Sequence, residues 1–377
     1  MSSAANNVSS AVNAAPVKAA TLPVISIEPW INPHEKKGRL STAAAIHAAC
    51  LDFGFFYLDI SSYVDPSEPE ELSQLAREFF ALPQEEKDKL SLSNQDHARG
   101  YQRLKENVTQ GKADNHEALD FYRPVEDPDR TKPLWGENQW PTVPTFKEKY
   151  EAWTEKMKKL GLIVMEAMSV GLGMSPEEWK ELRAQVDDSF WVMRIIGYPP
   201  LPDEDTGYSC GAHRDYGCLT FLWADPTKDA LQVFLPQSFV ALETEEGPTS
   251  EGLEQGIWIT ADPIRGCVSA LPLTLPSPMT VWEIWTNGLY RSTLHRVVHK
   301  GSNYRVSIPF FFEPNFTANI APLPAALRIQ DGLTATAADR RRKAEGKPKK
   351  VYESTIYGDF LKRKVGSNFA TGKGRYD

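Results

Sequence analysis

After residue 187 the chain breaks into short runs rich in β-branched and aromatic residues: SFWVMRIIGYPP, GCLTFLW, LQVFL, GIWIT, VWEIW, RSTLHRVVH and YRVSIPFFF. Gly, Pro and Asn separate them. That texture is the signature of an antiparallel sandwich or barrel, with each run a strand. The earlier half is mainly helical. PVISI (23–27) and FFYLDI (55–60) read as strands. STAAAIHAACLDFG (41–54) reads as a helix that Ser41 or Thr42 can cap, and EELSQLAREFFALPQEEKDKL continues in helical period. Residues 99–124 are polar and irregular, and long connections of that kind often line sites. Residues 145–174 form a long helix whose Tyr150, Trp153, Met157, Leu160, Val164 and Met168 recur at three- and four-residue steps and face the core. Ser175 caps the next helix, Pro176 takes its first position, and Glu178 completes a capping box. A C-terminal helix is expected over 354–365. The class is therefore α+β with a mainly β core.

With 377 residues and 41% hydrophobic content, the chain can bury one large core or two modest ones. Its net charge is −8, which argues against nucleic acid or an anionic membrane as the main partner. The four cysteines, Cys50, Cys210, Cys218 and Cys267, form no CxxC pair. They are read as reduced thiols of a cytoplasmic protein, and no second Cys or His pair stands at zinc spacing beside Cys210 and Cys218. Residues 1–21 read as a flexible tail rather than a signal peptide. No apolar run is long enough to span a membrane. The basic run 338–350 reads as a solvated linker.

His213-Arg214-Asp215 spells the start of a protein-kinase catalytic loop. That reading fails: the Asn needed five residues after the Asp is Thr220, and no DFG, glycine-rich loop or strand lysine is present. As chemistry, His213 and Asp215 are two metal ligands at i and i+2, the spacing that puts side chains on one strand face; Arg214 is incidental. Seven histidines are available for a third ligand. His295 has apolar neighbours, whereas His299 precedes Lys300-Gly301-Ser302, where a strand turns into solvent. His295 is the choice. Two histidines and a carboxylate form the facial set that suits Fe(II) and leaves positions open for oxygen chemistry. Ten residues on, Arg305 and Ser307 form another i, i+2 pair. An arginine inside a barrel needs an anion, and a dicarboxylic cosubstrate such as 2-oxoglutarate supplies one.

These residues, in this order, resemble the isopenicillin N synthase-like family of Fe(II)/2-oxoglutarate-dependent dioxygenases. PVISI, FGFFYL, FFALPQEEK and RGYQ look like its N-terminal region; GYPPLP, HRDYGCLTFL, LQVF, STLHRVVH and YRVSIPFFFEPN look like its catalytic core. The resemblance runs from about Leu22 to Phe369. It implies a double-stranded β-helix (jelly roll) over about 187–316, within an N-terminal region 22–135 and a catalytic region 136–377. It implies iron on His213, Asp215 and His295, and 2-oxoglutarate on Arg305, Ser307 and Tyr198, with Tyr101 and Phe311 in the substrate pocket. Where many plant members have Asn, this chain has Ile196. The implied reaction uses O2, with ascorbate as an optional reductant, and releases succinate and CO2. A small-molecule metabolite is hydroxylated, desaturated or cyclised by a monomeric enzyme. Relatives that use O2 without 2-oxoglutarate are the alternative within the family.

Two departures stand out. Residues 237–256 read as an acidic surface insertion. In 266–285, Pro272, Pro276 and Pro278 fall within seven residues where the family has a core strand leading into a W-E-I-W strand. Proline lacks the ladder donor. The expectation is a strand replaced or looped out, by a variant loop or translated intron; a genuine segment implies a destabilised barrel, and a catalytically inactive binding protein is the alternative to an active oxygenase.

Overall fold

The computed structural model describes residues 21–369 except 33, 110, 202–206, 216, 237–255, 273–279, 291–292 and 333–350. The tail, nearly all of the acidic insertion, the basic run, Pro276 and Pro278 lie outside the described residues.

The chain opens with β1 (Val24–Ser26), a short helix α1 (Glu28–Ile31), α2 (Lys36–Asp52) and β2 (Phe56–Asp59). Helix α2 starts five residues before the expected cap. Thr42 sits inside it and donates its hydroxyl to Ser26 O at 3.2 Å, so it ties the helix to β1 instead of capping it. Gly54, at φ 58°, ends the helix by sending its N–H back to Ala49 O. The next helical stretch splits at Pro83 into α3 (Ser67–Phe80) and α4 (Gln84–Asp88).

Residues 99–124, read as irregular, contain four strands: β3 (Gly100–Gln102), the hairpin β4 (Val108–Thr109) and β5 (Lys112–Ala113), and β6 (Glu117–Tyr122). Every residue of β6 is buried. Then come α5 (Phe146–Gly171), α6 (Pro176–Arg183), β7 (Val192–Tyr198), β8 (Cys210–His213), β9 (Leu219–Ala224), β10 (Leu231–Pro236), β11 (Gly256–Thr260) and β12 (Cys267–Pro272). Helix α7 (Val281–Trp285), β13 (His295–Val297), β14 (Arg305–Phe312), β15 (Asn319–Ile320), α8 (Pro324–Gly332), β16 (Thr355–Ile356) and α9 (Tyr357–Phe369) complete the order. The capping box of α6 is present, with Glu178 N on Ser175 Oγ at 3.2 Å.

Two sheets face each other. One has eight strands in the order β1-β2-β12-β9-β14-β7-β6-β3, and the other has four in the order β11-β10-β13-β8. The smaller core cluster lies between them, with Tyr57, Ile196 and Tyr198 from one sheet against Leu231, Val233, Ile259 and Val297 from the other. This is the jelly-roll core. The larger cluster fills the outer side of the eight-stranded sheet, where the six stripe residues of α5 are all buried.

The proline-rich departure is corrected here. β12 is intact and central: it pairs with β2 through Cys267–Ala270 and with β9 through Ser269–Pro272. Pro272 enters only at the last position, opposite Leu219, where a missing donor does not interrupt the ladder. VWEIW is a helix rather than a strand. Val281, Trp282, Ile284 and Trp285 are buried at helical spacing, and Thr286 closes the turn by donating its hydroxyl to Trp282 O at 2.6 Å. The main motive for an inactive barrel therefore falls away. Among the described residues, no helix is long and apolar enough to cross a membrane.

Helix α5 meets β14 through Gly161, where a Cβ would stand 2.2 Å from the Phe312 ring. Gly161→Ala is expected to lower stability by about 1–3 kcal/mol through overpacking. Urea unfolding measures this, and an unchanged midpoint would contradict the close approach.

Candidate metal centre and adjoining pockets

β8 and β13 pair with His213 directly opposite His295, and the register shifts at a bulge before Val297 reaches Cys210. The two imidazole centroids are 4.3 Å apart. Each ring is pinned by a carbonyl two residues earlier: His213 Nδ1 meets Gly211 O at 2.8 Å and His295 Nδ1 meets Thr293 O at 3.1 Å. A carbonyl only accepts, so each Nδ1 carries a proton and Nε2 is the ring atom left to face the other ligands.

Asp215 lies past the end of β8, so strand alternation does not place it. It reaches back to within 3.4 Å of His213 Nε2 and 3.8 Å of His295 Nε2 through Oδ1. Its Oδ2 accepts from Thr220 Oγ1 at 3.1 Å. One ligand atom from each of the three residues lies within 4.8 Å of the others. Ligands about 2.1 Å from a shared ion and at right angles would be about 3 Å apart, so the spacing fits one first-row ion held on one face. Burial, aided by the His213 imidazole, pushes His295 down to about 4, which keeps it in the neutral, ligating form at neutral pH. His299 is elsewhere, with its Nε2 on Asn303 O at 2.6 Å.

Arg305 and Ser307 come from the opposite sheet. Both are on β14, each only 1% exposed, and Arg305 pairs in register with Tyr198. The guanidinium carbon stands 4.8 Å from the Tyr198 ring centroid. Arg305 Nε and Nη1 are buried without a hydrogen-bond partner. A guanidinium buried with two idle donors is costly unless an anion meets it. His213, Asp215, His295, Arg305, Ser307 and Tyr198 all line one pocket of about 670 Å³, with Ile196 and Val297 in its apolar wall. Phe311 lines this pocket and a second one of about 530 Å³ beyond Asp215. Arg214, read as incidental, lines that second pocket.

Tyr101 is not brought to either pocket. It is buried in a polar knot in which its hydroxyl donates to Glu117 Oε2 at 2.6 Å. Lys87 Nζ donates to the same oxygen at 2.7 Å, and the Tyr304 hydroxyl donates to Glu117 Oε1 at 2.8 Å.

Sequence reasoning missed several pocket residues on 114–122 and 313. His116 lines the first pocket, with its Nδ1 on Ser209 O at 2.7 Å, and burial with the Arg194 charge pushes it down to about 3. Asp114, His116 and Cys210 form a second group of three ligand atoms within 4.8 Å. Its carboxylate is already engaged: Asp114 accepts from Gly211 N at 2.8 Å, Thr109 Oγ1 at 2.7 Å and Asn107 Nδ2 at 2.5 Å. Asp114 is therefore a bracket. It holds the Gly211 peptide whose carbonyl orients His213.

The sequence and the fold have counterparts among known proteins. Residues 22–143 match the model described as non-haem dioxygenase in morphine synthesis N-terminal, and residues 188–314 match the 2OG-Fe(II) oxygenase superfamily. A homoarginine-6-hydroxylase of Glycine max is 35% identical over 93% of this chain and 97% of its own length. One from Oryza sativa subsp. japonica is 34% identical over 92% and 97%. A full-length Neurospora crassa structure in complex with alpha-KG superposes with TM-score 0.70 at 25% identity, covering 92% of this chain and 96% of that one. The chain belongs to the 2OG-Fe(II) oxygenase superfamily. It is a 2-oxoglutarate-dependent dioxygenase that uses Fe(II), 2-oxoglutarate and O2.

Replacing Asp114 with Ala strands three donors inside the protein. The expected cost is about 1–3 kcal/mol, or more because the acceptor is charged. Chemical denaturation checks it, and a wild-type midpoint would show that the bracket bears no strain.

Proposed function

We propose that His213, Asp215 and His295 hold the iron, and that Arg305, with Ser307 and Tyr198, receives the far carboxylate of 2-oxoglutarate. The observation that carries this reading is the buried Arg305 guanidinium with two unpartnered donors, facing the three-ligand cluster across a single pocket. The donor set fits the ion, and the idle guanidinium fits the dicarboxylate. Iron and 2-oxoglutarate, when bound, supply the oxidising chemistry that turns O2 and the cosubstrate into succinate, CO2 and an oxygenated product. The chain's own residues orient the two imidazoles through their Nδ1 atoms, fix the carboxylate and present an anion site. The apolar wall of Ile196, Leu222 and Val297 excludes water and so strengthens each charged contact.

For the substrate, we infer a small basic amino acid of the homoarginine kind, hydroxylated on its side chain. The two homoarginine-6-hydroxylases that cover nearly the whole chain support this, as does a second pocket with charged walls opening at Asp215. Phe311, at the junction of the two pockets, would pack against the aliphatic part of such a substrate. The net charge of −8 supports a small molecule over a nucleic acid.

Succinate formation with Fe(II), 2-oxoglutarate and homoarginine tests the reading. His295→Ala is expected to abolish turnover, and Arg305→Gln to raise the KM for 2-oxoglutarate at least about tenfold, the worth of a charge-assisted pair. A chelator should stop the reaction and added Fe(II) restore it. Turnover that survives His295→Ala would sink the ligand assignment. An enzyme that binds Fe(II) and 2-oxoglutarate but forms no extra succinate with homoarginine would replace the substrate class.

A further inference from the structure

The charged groups of the second pocket are not all spent inside the fold. Asp120 faces Arg194 in register across β6 and β7, with 3.6 Å between carboxylate and guanidinium. Glu313 differs. It is 3% exposed, its Oε2 accepts from Cys218 N at 2.8 Å, and Tyr357 also hydrogen-bonds to the carboxyl. Among the described residues no Lys, Arg or His pairs with it. A carboxylate has about four acceptor positions, so roughly half its capacity remains. Burial, with the Asp215 charge adding to it, pushes the Glu313 carboxyl well above the ordinary range, the state of a buried acid without a cation.

The chain also makes room for this group beside the metal centre. At Gly217, two residues after Asp215, a Cβ would stand 1.7 Å from Glu313 Oε1. Any side chain there would displace the carboxyl. Asp215, Gly217, Phe311, Glu313 and Arg214 line the same space.

We propose that Glu313 is the residue that selects the substrate, by receiving the cationic nitrogen of a basic amino acid in the pocket beyond Asp215. This rests on the substrate reading above. The chemistry places the cation correctly: carbon 6 of homoarginine bears the guanidino nitrogen, so oxidation at that carbon needs the cation next to the metal. Glu313, packed on the turn that follows Asp215, stands there.

The test compares homoarginine with homocitrulline, its neutral isostere, by succinate formation in wild type, Glu313→Gln and Glu313→Asp. Wild type is expected to favour homoarginine about 10- to 100-fold in kcat/KM. Glu313→Gln should erase that preference, mainly through KM. Glu313→Asp, which keeps the charge, should retain it with weaker affinity. Calorimetric binding of Mn(II) and 2-oxoglutarate shows that each variant is folded; should Glu313→Gln fail that control, the Asp variant decides, and loss of the preference in a folded Asp variant counts against the assignment. A Glu313→Gln enzyme that still prefers homoarginine overturns it. A wild-type enzyme that binds Mn(II) and 2-oxoglutarate but turns over neither compound overturns the basic amino acid reading itself, and this assignment with it.

Discussion

The site depends on the pairing of β8 with β13. That ladder sets His213 against His295, and the bulge beside it stops the register from sliding. A slip of one residue would turn one imidazole to the other face and leave no cluster. The pairing also supplies the orientation of both rings, because each histidine uses the carbonyl two residues before it, Gly211 for one and Thr293 for the other. Around this pair, β10 holds β13 with Val233 opposite His295, and Asp114 holds β8 through the Gly211 amide. The two imidazoles are thus fixed by backbone, the arrangement that would give precision to the proposed metal site.

The eight-stranded sheet provides the second half. It brings Arg305 to the inner face opposite the histidines, stacked on Tyr198 and, among the described residues, with Nε and Nη1 unpartnered. The buried partners of its neighbours are internal: Arg77 pairs with Asp225, and Lys87 with Glu117. Those pairs tie α3 and α4 to the sheets, so the N-terminal region acts as a buttress. Arg305 and Glu313, on and just after β14, are buried ionisable side chains with unused hydrogen-bonding capacity, one at each pocket.

Much of this was legible in the chain. His213, Asp215, His295, Arg305 and Ser307 lie in short segments, and the structure brings all five to one pocket, although Asp215 reaches it from beyond the end of β8 and not by strand alternation. The helical stripe of α5 was legible because period and burial coincide. Residues 99–124 were not. Their polar side chains look like a loop, but Glu117, His116 and Asp114 are buried, and each has a partner distant in sequence: Tyr304, Ser209 and Gly211. Tyr101 was misplaced because an aromatic whose hydroxyl meets a buried carboxylate reads like one facing a ligand. VWEIW carries an apolar set that fits a strand or a short helix equally, and only its neighbours decide. Proline content misled at β12, because the cost of a proline depends on which residue's donor is lost, and Pro272 ends the strand.

Anomalous diffraction from crystals grown with Mn(II) tests the central claim most directly. The account predicts one strong peak per chain, bonded to His213 Nε2, His295 Nε2 and Asp215. A peak at the Asp114, His116 and Cys210 group instead, or a peak that lacks any one of the three expected ligands, would contradict it.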